Sequence, residues 1–202
     1  MFSQNDLTDD ESVKDGLFNT RRRFLGTLGG LMAGAILLPG EVEAAPKPLT
    51  PEQKAMWNRY IAAYAQFLQR QRFRNITVRQ IIEAHLKSRG NVRNTPPPKS
   101  LWKNIVPTLR VADRLAGELR APLVEIVSAY RSPAYNALCA GARRDSMHKH
   151  NLALDLKYAT SPRNVAQMAD RMRDRGYFRG GIGRYGSFTH IDTRGENADW
   201  RG

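Results

Sequence analysis

The chain predicts an α+β fold: a small antiparallel sheet flanked by helices, preceded by an N-terminal helical segment. Three observations carry that expectation. Stretches with apolar residues at helical spacing are mixed with short β-branched or alternating runs. No regular βαβ repeat, and no internal repeat of any kind, orders them. Proline, glycine and short polar residues stand at the ends of the elements, where caps and turns need them.

Residues 1–44 read as an export leader and stand outside the fold. A polar, acidic head precedes Thr20-Arg21-Arg22-Arg23-Phe24-Leu25-Gly26, and an apolar run rich in Gly, Ala and Leu extends from Gly26 to Pro39. Paired arginines before a mild apolar stretch resemble a twin-arginine signal, which implies the twin-arginine export machinery as a partner and a periplasmic or otherwise exported location. The run is shorter than the roughly 18 to 20 residues that span a bilayer. Small residues around Ala44 place the expected cleavage after it.

Residues 45–97 form the N-terminal helical segment and its proline-rich linker. Thr50-Pro51-Glu52-Gln53 is a capping box, and Trp57, Tyr60, Ile61, Tyr64 and Leu68 follow on one helical stripe. A second helix is expected from the Thr77 cap to Arg89, ended by Gly90. Asn94-Thr95-Pro96-Pro97-Pro98 then reads as a stiff, extended connection.

Residues 98–202 form the principal domain. Leu101–Leu119 is expected to be helical, with Leu109, Ala112, Leu115 and Ala116 inward and Pro107 either kinking it or marking its true first turn. Pro122–Ser128 is β-branched and reads as a strand. Ser132-Pro133 opens a short helix ending near Gly141, and Ser161-Pro162 opens one through Arg175, closed by Gly176. Between them Leu152, Leu154 and Leu156 alternate with Ala153 and Asp155, as on a strand. Gly180–Gly186 is expected to lead into a last strand, Phe188–Asp192, its glycines allowing close backbone packing.

The chain has 202 residues, a net charge of +13 and one cysteine, Cys139. This length suffices for one domain with a real core, and no intramolecular disulfide can form. The leader holds more acidic than basic residues, so the positive excess is larger still in residues 45–202. Such charge implies an acidic partner. For an exported chain that partner is an anionic cell-envelope surface and not nucleic acid.

Three of the four histidines lie in Ser146-Met-His148-Lys-His150-Asn151-Leu-Ala153-Leu-Asp155 and Thr189-His190-Ile-Asp192. A catalytic zinc takes three nitrogen or oxygen ligands and leaves a position open. His148, Asp155 and His190 meet that count, with His150 the competitor to His148. Asp155 on an alternating strand can face a cleft while its leucine neighbours enter the core. Asn151 is suited to a left-handed turn.

These residues, with Ser128-Ala129-Tyr130-Arg131-Ser132 before them, resemble the M15 zinc D-alanyl-D-alanine peptidases, which share a fold with the hedgehog signalling domain. The resemblance implies a hydrolase that cleaves D-amino-acid peptide bonds in the peptide stems or crosslinks of peptidoglycan, as carboxypeptidase or endopeptidase. His148, Asp155 and His190 would hold zinc, and Arg131 would bind the substrate carboxylate or the developing oxyanion. The chain departs from the pattern at Asn151, usually Gly, and at Ser187, where many members carry the acidic base. Asp192, on the same strand face as His190, is the catalytic candidate that remains. A catalytically weak, zinc-containing wall-binding module is the alternative.

Overall fold

The computed structural model describes residues 45–202. Residues 1–44, where the export leader and its cleavage point are expected, lie outside the described residues. Among the described residues no helix is long and apolar enough to cross a membrane.

Helix α1 (Pro51–Gln69) starts at its capping box: Thr50 Oγ1 accepts from the Gln53 amide at 3.2 Å, and Gln53 Oε1 from the Thr50 amide at 2.9 Å. Tyr64 and Leu68 bury its inner stripe. Helix α2 (Val78–Glu83) repeats the device at Thr77 and Gln80 but stops well short of Arg89. Strands β1 (Ser88–Arg89) and β2 (Val92–Arg93) form an antiparallel ribbon there instead. Gly90, with φ of 53°, serves the two-residue turn of that hairpin and not a helix end.

The proline stretch is part of the packed body. Pro96 and Pro97 are buried, and the Pro97 carbonyl accepts from Tyr60 Oη at 2.9 Å and Trp102 Nε1 at 3.0 Å. It thereby fastens α1 to a 3-10 turn at Lys99–Asn104. Helix α3 (Ile105–Leu119) follows with Pro107 in its first turn, where a missing N–H leaves no bond unmade.

Strand β3 (Leu123–Ser128), short helix α4 (Pro133–Ala137), strand β4 (Ala153–Tyr158) and helix α5 (Pro162–Asp174) come next. Ser132 and Ser161 cap the two helices as expected. Strands β5 (Gly181–Arg184), β6 (Thr189–Asp192) and β7 (Ala198–Arg201) complete a five-stranded sheet in the order β3-β4-β6-β5-β7. Every pairing is antiparallel except β5 with β7, which is parallel. The fold is therefore α+β with a mainly antiparallel sheet and flanking helices.

Two strands depart from the expectation. Gly181–Arg184 is itself a strand, and β7 lies beyond the strand expected to be last. The glycines explain both: a Cβ on Gly183 would stand 2.6 Å from the Trp200 indole, so their bare backbone lets β7 lay Trp200 across the sheet.

The period-two alternation of β4, β5 and β6 divides the sheet's work, and an irregularity in β3 between Ile126 and Ser128 brings that strand's end into line. Ile126, Leu154, Leu156, Ile182 and Ile191 enter a core shared with α1, α3 and α5. Asp155 and His190 occupy the opposite face in register, and beyond the irregularity Ser128 stands opposite Asp155.

Candidate metal centre

Asp155 on β4 and His190 on β6 are direct cross-strand partners, so their side chains emerge side by side. His148 reaches them from the loop before β4, which turns back through Asn151 at φ 56°. Asn151 is buried and holds that turn by donating Nδ2 to the Leu101 carbonyl at 2.9 Å. The left-handed turn expected at Asn151 is thus present, with a bond that a glycine there would lack.

The three donor atoms form a closed triangle. His148 Nε2 lies 3.2 Å from His190 Nδ1 and 3.3 Å from Asp155 Oδ1, and His190 Nδ1 lies 2.8 Å from Asp155 Oδ1. Tetrahedral zinc, with ligands about 2.0–2.1 Å away, sets its donors roughly 3.3 Å apart. All three residues are buried, and together they form a set that could hold a metal ion. His150 does not join them: it is half exposed and pairs with Asp145 at 2.9 Å.

The outer contacts fix which nitrogens are free. His148 Nδ1–H donates to the Ala129 carbonyl at 2.7 Å, leaving the Nε2 lone pair toward the triangle. His190 Nε2–H donates to Asp192 Oδ2 at 3.1 Å, leaving Nδ1 toward the same point. Burial lowers the pKa of His148 and outweighs the pull of Asp155, which keeps it neutral, the form that ligates. His190 is raised: burial opposes its charge, but bonds to Asp155 and Asp192 prevail. Asp155 stays far below the usual carboxylate range because the two histidines outweigh its burial.

Asp192 is the residue whose geometry departs most from the sequence expectation. Its side chain has no exposure. Oδ1 accepts from the Gly181 amide and from Arg194 Nε, each at 2.9 Å, and Oδ2 from Arg194 Nη2 at 2.6 Å. With His190 Nε2 also on Oδ2, both oxygens are committed, and burial is overcome by these bonds to hold the pKa far below the usual range. Asp192 is placed to orient His190, and neither of its oxygens is without a partner. Ser187 is exposed in the turn between β5 and β6, so no carboxylate stands at the position it occupies.

Arg131 does reach the site, through Asp155. Nη2 donates to Asp155 Oδ2 at 2.5 Å, Nε donates to Ser128 Oγ at 2.7 Å, and the backbone amide donates to the His148 carbonyl at 3.2 Å. It braces the carboxylate whose other oxygen belongs to the triangle, and its Nη1 makes no hydrogen bond among the described residues.

Sequence reasoning missed the place of Trp200 in an aromatic wall beside His190. Trp200 packs on His190 with ring centroids 5.0 Å apart and donates Nε1 to Tyr185 Oη at 3.0 Å, while Tyr185 stacks on Phe188 at 4.4 Å. The glycine pair Gly181 and Gly183 was the available signal, since alternate strand positions without side chains leave room for a large ring.

The sheet, the triangle and its outer contacts form a buried site that could hold a metal ion. The family model of Peptidase M15 matches residues 74–192, more than half of the chain, and the chain belongs to this family of zinc peptidases. No curated protein and no solved structure matches it.

Proposed function

We propose that the protein is an exported zinc metallopeptidase that hydrolyses D-amino-acid peptide bonds in peptidoglycan stems or crosslinks. The observation that carries the metal reading is the donor triangle, with both imidazole tautomers set by partners outside it. Membership of the M15 family supports the reaction class, and the twin-arginine motif in the sequence supports export to where the wall lies.

His148, Asp155 and His190 would hold the ion. A zinc ion bound there would supply Lewis acidity toward water and a carbonyl. Ala129 and Asp192 keep the two imidazoles presented edge-on, and Arg131 keeps Asp155 from rotating away. The free Nη1 of Arg131 provides a fixed positive donor for a substrate carboxylate or for oxyanion charge. Trp200 and Tyr185 close one side of the His190 ring and limit water there.

Two observations favour a second reading, a zinc-containing wall-binding module with little turnover: Ser187 is not acidic and Asp192 is fully engaged. Digesting muropeptides with the zinc-loaded protein and analysing products by mass spectrometry separates the two. Release of D-alanine or resolution of crosslinked dimers supports the peptidase; intact muropeptides that nonetheless co-sediment with the protein support the module.

A further inference from the structure

We propose that an arginine-lined groove on the outer face of α3 is a second binding site, for a linear anionic glycopolymer of the cell envelope. The choice of partner rests on the export reading above; the groove itself does not. Arg74, Arg110, Arg114, Arg120 and Arg179 line it with Tyr177, and none of His148, Asp155, His190 or Arg131 does.

The five arginines of this groove outnumber its carboxylates. Its two acidic residues are Asp113 and Glu118. Asp113 Oδ1 accepts from the backbone amides of Arg74, Asn75 and Ile76 at 2.9, 2.6 and 3.2 Å, and Asn75 Nδ2 returns a bond to the Asp113 carbonyl at 2.9 Å. That carboxylate therefore clamps the 74–76 loop onto α3 and sets Arg74 at the rim. Glu118 pairs with Arg114 at 3.2 Å. Arg74, Arg110, Arg120 and Arg179 have no carboxylate partner among the described residues.

Two guanidinium groups stack on aromatic rings, Arg114 in addition to its pair with Glu118. Arg114 lies 3.8 Å over the Tyr177 ring and Arg110 lies 5.2 Å over Phe73. Stacking fixes the plane of a guanidinium while leaving its N–H edges free for oxyanions, which it binds bidentate. Tyr177 is 46 % exposed and offers an apolar surface beside those charges. A concave, cation-lined groove suits a polymer strand better than a flat lipid surface. Acidic groups repeated along a saccharide chain match both the charges and the aromatic ring.

The test is binding of the purified full chain to polyglycerol phosphate and to polygalacturonate, which present phosphate and carboxylate respectively, over a range of salt. The wild type should bind at least one of them, with affinity falling as salt rises. The combined variant Arg74→Ala/Arg110→Ala/Arg179→Ala should lose about tenfold or more, and its salt slope should fall by about one per arginine removed. The matching triple Lys variant should retain the slope. Zinc content and cleavage of short soluble muropeptides should be unchanged in both. The proposal is overturned by binding of neither polymer or by equal binding of the triple Ala variant. It is also overturned by tighter binding of single-stranded DNA, or by binding to phosphatidylglycerol vesicles alone. Loss of muropeptide cleavage in the wild type with polymer binding intact overturns the peptidase reading and leaves this one standing.

Discussion

Replacing Asp192 by Asn separates the two roles a carboxylate could have beside His190. In the folded protein Asp192 Oδ2 accepts the His190 Nε2 proton at 3.1 Å, and the remaining capacity of both oxygens goes to Arg194 and the Gly181 amide. Asn keeps the shape but brings one N–H₂ in place of an oxygen. Whichever way the amide turns, either His190 or Arg194 loses an acceptor. Loss of an outer-shell partner of a ligating histidine weakens metal binding about 10- to 100-fold, which is about 1.4 to 2.8 kcal/mol. Competition with a chromophoric chelator should therefore show zinc affinity lower by that factor, and turnover should recover when zinc is raised to saturate the site. Unchanged zinc affinity with turnover abolished at saturating zinc would refute the reasoning and make Asp192 the proton acceptor.

Other substitutions probe the scaffold. Asn151→Ala removes the bond to the Leu101 carbonyl and places a β-carbon residue at φ 56°; it should cost roughly 2 kcal/mol in urea unfolding, from about 1 for the bond and about 1 for the left-handed backbone. Gly183→Ala drives a Cβ toward the Trp200 indole; a loss of about 1–3 kcal/mol and a change in Trp fluorescence are expected, and an unaltered emission spectrum would contradict the aromatic wall. His85 is fully buried against Tyr64, and no hydrogen bond of good geometry reaches either ring nitrogen. Burial, opposed only by the nearby Tyr130 carbonyl, pushes its pKa from 6.5 down to about 3. The unfolded chain then takes up the proton first, so stability is full above about pH 6.5 and falls as pH drops toward about 3, by on the order of 5 kcal/mol. His85→Phe should flatten that dependence in urea midpoints measured between about pH 4 and 7; an identical slope would contradict it.

The helix starts were legible because capping is local: Thr50, Thr77, Ser132 and Ser161 each sit at the N-cap that their spacing indicates. The donor set was legible for a similar reason. A strand alternates, so Asp155 between leucines was expected to face away from the core, while the preference for His148 over His150 came from the resemblance to the family's spacing and not from the local pattern. What stayed hidden depends on contacts between distant segments. Nothing local in Ser88–Arg93 distinguishes a helix end from a ribbon, since Gly90 needs the same left-handed backbone in either. The prolines at 96–98 read as a spacer because their burial depends on Tyr60 and Trp102. Strand β5 has two glycines and little intrinsic strand preference, so it exists through pairing with β6 and β7. Asp192 shares a strand face with His190, as its spacing requires, but only the fold brings Gly181 and Arg194 onto its oxygens and settles what it can do. Arg131 was found by pattern, while its bond to Asp155 spans two elements and appears only in three dimensions.

Metal analysis of the purified protein tests the central claim most directly. Mass spectrometry of metal content should find about one zinc per chain in the wild type and little or none after His148→Ala, with His150→Ala unchanged. Equal zinc in the His148→Ala variant, or loss of zinc in the His150→Ala variant alone, would contradict the assignment of His148, Asp155 and His190 as the metal centre.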